Sequence, residues 1–502
     1  MILAALLAGL SALLGGGIAL AARRYPAVLE RTRTFAFAAA AGVVGFHLLP
    51  EVLPGQGLAA LLWMGAGFAL PWVLEEAAHA AGPRLLHGRG MPGLRVAAEV
   101  GFAALIFHSV VEGLALVAAL ARPEGKLDLE IALVAHHAPL TAAVVLPFLE
   151  LRGPRSAAAR AALVGAAGVC GVVASLAVPG FTEGAVLQKA TAVTAGALLH
   201  VVADEIRIQR FASRWERAAD LGACALGLLV AGLGAVLHLR QQGHTAPALD
   251  YLRALAGLSL AAAPALLCGS IAGALLAARV RSFRWDAFLL ALVLLGAPAA
   301  LALGALTILL ALPRRAAPSP ARPEGVSAAL LQEARERAPP IFALFIAAAG
   351  LEVTVSSFPS DWPSAIALVA AVALAARLDE AGAVAVAAVL VGKGLDPAPA
   401  VALLAIGPLM RRGSARRTVA LLLGAAALAA AAALSFLGAL SSAPAAARQV
   451  LARVRETFPA QVWSSPVGAA SAVVLLALAL ATLWSAGARG WFTPLRHDPH
   501  EA

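Results

Sequence analysis

Phe107-His108-Ser109-Val110-Val111-Glu112-Gly113-Leu114-Ala115-Leu116 lies inside an apolar run, residues 96–120. On a helix, residues i and i+4 share one face, a turn apart. His108 and Glu112 therefore present an imidazole and a carboxylate side by side. Such groups are expensive inside a bilayer and mark a polar path or site rather than packing. The same spacing recurs as His47–Glu51 and His200–Asp204, and a fourth apolar run carries adjacent His136 and His137. Imidazole with carboxylate is a ligand set suited to zinc, iron and manganese.

The rest of the chain agrees with a membrane setting. Of its 502 residues 61% are hydrophobic and 13% charged, and the mean hydropathy is +0.86. Many apolar runs reach the roughly 20 residues that a helix needs to cross a bilayer. They are continuous rather than alternating, which excludes a transmembrane barrel. The expected class is an all-α polytopic membrane protein. The net charge of +10 comes from Arg in short loops between spans, where it sets orientation. It does not indicate nucleic-acid binding. Cys170, Cys224 and Cys268 fall inside apolar runs, and no disulfide framework is implied. The apolar stretch 1–22 is followed, not preceded, by Arg23 and Arg24. That order is the reverse of a secretory signal and reads as a retained first span with its N-terminus outside.

Eight spans are expected near 1–22, 35–53, 57–78, 96–120, 129–149, 157–178, 186–206 and 218–239. Loops after the odd-numbered spans carry fourteen basic residues, and those after spans two, four and six carry three. By the positive-inside rule both ends of this unit face outside. Residues 1–240 form the expected first domain, 241–253 a linker and 254–502 a second membrane domain. In the second domain the run 286–312 is interrupted at Gly296-Ala297-Pro298 and has basic residues on both flanks. It reads as a helix–break–helix hairpin that re-enters from one side. Residues 313–338 read as a Pro- and Arg-rich cytoplasmic loop, followed by spans near 340–357 and 363–377. A second interrupted run, 381–410, breaks at Gly392-Lys393-Gly394-Leu395-Asp396-Pro397. Paired interrupted segments point to a transporter built from repeats. A span near 418–437, an amphipathic stretch at 444–458 and a last span near 467–486 complete the chain.

With Ala135-His136-His137-Ala138-Pro139-Leu140 in span five and Phe46-His47-Leu48-Leu49-Pro50-Glu51 in span two, residues 1–240 resemble the ZIP family of divalent-metal transporters. Its signature includes His-[Ser/Asn]-x-x-Glu-Gly in span four. The resemblance implies an eight-span helix bundle with a metal site between spans four and five. It implies His108 and Glu112 as ligands from span four and His136 from span five, with His137 as a possible fourth. Leu140 stands where some members place a bridging Glu, which implies one metal rather than two. Ligation needs neutral imidazole, so metal binding weakens below about pH 6.5. His47, Glu51, His200, Asp204 and Glu205 are read as path or auxiliary positions; the alternative is structural hydrogen bonding for His47–Glu51 and a solvated helix end for His200–Asp204 beside Glu205.

The stretches Ala387–Gly394 and Ala402–Pro408 resemble a family of bacterial permeases, some associated with arsenical or copper/zinc export. That family's Cys-x-Cys-Gly motif is here Asp379-Glu380-Ala381-Gly382. Glu352, Asp379, Glu380 and Lys393 are the candidate polar path of this domain. The expected function is transport of divalent metal, zinc first and iron or manganese next, across a bacterial inner membrane by alternating access. The expected partners are metal ions, the lipid bilayer and a second copy of the chain, with no organic cofactor, no nucleic acid and no enzymatic activity. Two alternatives stay open: an intramembrane zinc-dependent hydrolase, and a proton- or ion-conducting channel. The chain lacks His-Glu-x-x-His, which weighs against a protease of that type, and it carries no phosphate-binding Gly-x-x-x-x-Gly-Lys-[Ser/Thr] loop.

Overall fold

The structure is a computed structural model. It describes residues 2–49, 59–69, 73, 99, 102–103, 105–110, 112–114, 116–117, 137–138, 140–142, 144–149, 151–177, 185–206, 211, 213–241, 247–276, 283–311, 326–354, 372, 375, 378–410, 433, 438–456 and 466–495. Among these the architecture is helical, without strands. Four helices are long and apolar enough to cross a membrane: Ile2–Ala21, Pro154–Ser175, Asp250–Gly273 and Pro466–Ala486. Two of these show large apolar side chains on the outside, such as Leu6, Leu10 and Leu13 near the start and Val473, Leu476 and Leu480 near the end. A contiguous apolar face of this kind suits lipid rather than water.

The chain divides into two compact units, Met1–Ala248 with Gly487–Gly490, and Leu249–Ala486 with Trp491–Ala502. The first unit contains α1 (Ile2–Arg24), α2 (Pro26–Val43), α3 (Ala59–Ala69), α4 (Leu105–Leu114), α5 (Leu140–Leu149), α6 (Pro154–Ala177), α7 (Ala185–Glu205) and α8 (Arg214–Gln241). α2 begins at Pro26, nine residues ahead of the expected span, because a proline at the first helical position costs no hydrogen bond. It runs into a π-helical turn, Val44–Leu48, which contains His47.

Packing sorts these helices into two groups. Ala12 of α1, Leu105 of α4, Leu140 of α5 and Val164 of α6 share one core, which Ala19, Val145 and Ala161 extend. Val43 of α2, Met64 of α3, Ala195 of α7 and Ala231 of α8 share another. Small residues let the backbones approach, as is usual between membrane helices. A Cβ on Gly113 of α4 would fall 2.1 Å from the carbonyl oxygen of Gly168 in α6, and one on Gly171 would fall 2.0 Å from that of Val110.

The Gly487–Gly490 segment also belongs to this unit, through Arg489. Arg489 is fully buried and pairs with Glu30 of α2. Its Nε donates to Thr34 Oγ1 at 3.1 Å, and the backbone N–H of Ala488 donates to Asp220 of α8 at 3.0 Å.

The second unit contains α9 (Pro247–Leu276), α10 (Trp285–Leu294), α11 (Ala297–Ala311), α12 (Val326–Thr354), α13 (Glu380–Gly392), α14 (Pro397–Met410), α15 (Ala443–Glu456) and α16 (Pro466–Ala486). The expected linker is shorter than the sequence suggests, since residues 247–253 form the first turns of α9. Residues 326–338 are also helix rather than loop. They are rich in helix formers, and Glu333 and Arg337 pair one turn apart. Pro339 and Pro340 lie inside α12 instead of ending it.

Both interrupted runs break where expected. α10 ends before Gly296, whose φ of +85° lets the chain reverse into α11. α13 ends at Gly392, and Gly394, at φ +115°, leads into α14. The two helix pairs lie side by side, α10 along α13 and α11 along α14. α13 is apolar all round and is buried from Ala381 to Val391, as a central helix should be.

Candidate functional site

α4 carries His108, Ser109 and Glu112 on one face, and all three are buried. His137 and Ala138 are helical residues just ahead of α5. A Cβ on Gly15 of α1 would fall 2.5 Å from the carbonyl oxygen of Ala138, so the absence of a side chain there lets α1 reach this point. The result brings α1, α4 and the start of α5 around one polar centre.

Glu112 lies between two imidazoles. His108 Nε2 is 3.0 Å from its Oε1, and His137 Nδ1 is 3.7 Å from its Oε2. The exposures of His108, Glu112 and His137 are 7%, 5% and 4%, so little water screens them. A cavity of about 20 Å³ opens beside Ser11, Ser109, Glu112 and His137, with Leu7 and Leu116 on its apolar side. It has room for about one water-sized species.

His137 is held on both ring nitrogens. Nδ1 is 2.8 Å from Ser11 Oγ on α1, and Nε2 is 3.2 Å from Ser109 Oγ on α4. Ser11 also donates to the Ala8 carbonyl at 3.0 Å, and Ser109 to the Leu105 carbonyl at 2.8 Å. A hydroxyl has one proton to give. With both protons on the carbonyls, the serine oxygens accept from the ring, and His137 is an imidazolium beside the Glu112 carboxylate. With one serine turned toward the ring, His137 is neutral. The same contacts serve two protonation states.

The structure thus brings His108, Glu112 and His137 together. His136 lies outside the described residues, as do Glu51 and the side chains of His47, Asp204 and Glu205. His200 packs its ring edge-on against Phe68 of α3, with centroids 5.5 Å apart. Among the described residues no group of three or more His, Cys, Asp or Glu is arranged to hold a metal ion. Ser11 escapes a reading of the sequence, because a lone serine in an apolar span carries no local signal. Its 126-residue separation from His137 is closed only by the fold.

In the second unit, Lys393 at the second break donates to the Glu352 carbonyl at 2.9 Å and lies 3.5 Å from its Oε2. Asp379 caps α13 by accepting from the Gly382 backbone N–H at 2.9 Å. Its other oxygen accepts from Arg284 at 3.0 Å. Burial pulls the Arg284 guanidinium down, but Asp379 and Asp286 more than offset this and hold it well above its ordinary value. Glu380 instead lines a small cavity with Arg284, Phe288 and Thr307. The four candidate residues therefore separate into two places, Glu352–Lys393 at the break and Asp379 with Glu380 at the start of α13.

No family model, curated protein or solved structure matches this chain.

Proposed function

We propose that the first unit transports divalent metal ions, zinc foremost, through the centre at His108 and Glu112. The observation that supports this reading is a buried carboxylate flanked by two imidazoles on apolar helices. Two ligands of one tetrahedral ion, each about 2.0–2.2 Å from it, lie about 3.4 Å apart. The separations at Glu112, 3.0 and 3.7 Å, fall on either side of that value. Small side-chain shifts would admit the ion. His108, Glu112 and His136 are the proposed ligands. His137 joins them only by releasing Ser11 or Ser109, so its first role is to position Glu112. Three protein ligands leave a coordination place for water, which suits an ion that must leave again.

On this reading residues 1–240 form an eight-span bundle of the ZIP type in a bacterial inner membrane. The two packing groups, α1 with α4, α5 and α6 and α2 with α3, α7 and α8, are the bodies that move in alternating access. The second domain is a permease-like module with two re-entrant helix pairs, and two chains form the assembly. A second reading, proton conduction, draws on the bonds that join Ser11, His137 and Ser109 beside Glu112.

Proteoliposomes separate these readings. Metal transport predicts saturable zinc, iron or manganese flux. Conduction predicts acid-driven current in chelated buffer, and a hydrolase predicts zinc-dependent product without flux. Current without metal flux, or hydrolysis without it, overturns the transport reading.

A further inference from the structure

Five charged side chains form one chain of contacts at the start of α10 and α13. Asp379 accepts from Arg284, and Arg284 grips both carboxylate oxygens of Asp286 at 2.9 and 2.7 Å. Asp286 also accepts from Arg337 of α12 at 3.3 Å. Arg337 in turn pairs with Glu333, one turn back on α12. The order is Asp379, Arg284, Asp286, Arg337, Glu333. Charges alternate along it, and both ends are negative. Among the described residues of this chain of contacts, three carboxylates meet two guanidiniums, and Glu380 adds a further carboxylate near Arg284, so the fully ionised group carries excess negative charge. Guanidinium does not give up its proton. A buried, uncompensated charge is removed most cheaply by protonating a carboxylate.

The carboxylates are not equivalent. Asp286 is held by both guanidiniums. Asp379 has Arg284 and the Gly382 amide, at the positive end of a helix. At Asp286 burial raises the carboxyl, but the two guanidiniums more than offset this and hold it below its ordinary value. Glu333 has a half share of Arg337. Its other neighbours in charge are Arg284, Asp286 and Glu336. On α9 it lies beside Gly273, where a Cβ would lie 3.4 Å from its Oε1. Asp379 on α13 is joined to it through Arg284, Asp286 and Arg337 in turn. Burial outweighs Arg337 and raises the Glu333 carboxyl above its ordinary value.

We infer that Glu333 is a proton-binding carboxyl of the second unit, and that its protonation sets how α12 is tied to the two interrupted helix pairs. A proton from water adds to one Glu333 oxygen, and no other bond is made or broken. Arg337 then belongs to Asp286 alone, which fastens α12 to the start of α10. Loss of the proton returns Arg337 to a shared position and loosens that tie. The ligand is the proton itself, and the inference does not rest on the metal reading of the first unit.

Infrared difference spectra of the full chain in liposomes, recorded across pH, test this. The wild type should show a carboxylic C=O band that titrates above the ordinary glutamate value of about 4.3. The band should vanish in Glu333→Gln and persist in Glu336→Gln. Glu333→Asp keeps a carboxyl and should move the band, which guards against a variant that fails to fold. Amide exchange at Ala287 and Phe288 should slow on acidification in the wild type and lose that dependence in Glu333→Gln. A band unchanged in Glu333→Gln, or exchange equally pH-dependent in both proteins, overturns the inference.

Discussion

The two units bury opposite kinds of polar centre. In the first, one carboxylate lies between two imidazoles, His108 and His137. In the second, two guanidiniums lie among three carboxylates, Asp286, Asp379 and Glu333. Imidazole can give up its proton and offer a lone pair, whereas guanidinium has only donors. On the proposed reading the first centre trades protons for a metal ion. The second cannot ligate a metal through its arginines, and the ligand proposed for it is the proton. Similar cost in burial thus leads to different chemistry, decided by whether the cation is His or Arg.

Breaking the second centre should have the largest effect. Arg284→Ala leaves Asp286 and Asp379 buried with a lost partner, and should cost about 3–5 kcal/mol of stability in chemical unfolding of the purified protein. Arg489→Ala in the first unit, which removes the guanidinium held by Glu30 and Thr34, belongs to the same class but should cost somewhat less, because Glu30 is half exposed. An unfolding curve unchanged by Arg284→Ala would show that the contacts at α10 and α13 are incidental.

Breaking the first centre should cost function rather than fold. Glu112→Gln keeps the shape and removes the charge between the imidazoles. Zinc uptake should fall by about ten- to a hundredfold, or about 1.4–2.7 kcal/mol. Uptake within twofold of wild type would place the metal elsewhere.

Acid should drive the two centres in opposite directions. Metal ligation needs neutral imidazole, so zinc uptake should weaken as pH falls. Glu333 binds its proton more readily in the folded chain than in the unfolded one. Between those two values the folded chain holds more protons, so its contribution to stability grows as pH falls and is lost as pH rises through the folded value. Stability measured across pH in wild type and Glu333→Gln should differ in that slope. Parallel curves would remove Glu333 from the account.

The smallest effect belongs to Ser11→Ala. It removes one neutral hydrogen bond to His137, worth about 0.5–1.5 kcal/mol. Zinc affinity should change by about two- to tenfold, well below the effect of Glu112→Gln. A larger loss would make Ser11 a ligand rather than a support.

Much of this was legible in the residues, and what was not follows a physical pattern. Apolar runs and helical spacing place His108 and Glu112 on one buried face, because both rules are local. The breaks at Gly296 and Gly394 are local as well. Residues 326–338 read as part of a Pro- and Arg-rich loop, yet they are helix that continues through Pro339 and Pro340. The serine pair around His137, the contact of Arg337 with Asp286 and the buried Arg489 are tertiary facts. Each joins residues with no spacing rule between them, so sequence alone could not announce them.

The central claim is that a metal ion crosses through the His108–Glu112 centre. Its most direct test is zinc uptake into proteoliposomes by the wild type and by His108→Ala at equal protein density. Saturable uptake in the wild type and near-background uptake in His108→Ala are the expected result. Equal uptake by the two proteins would contradict it.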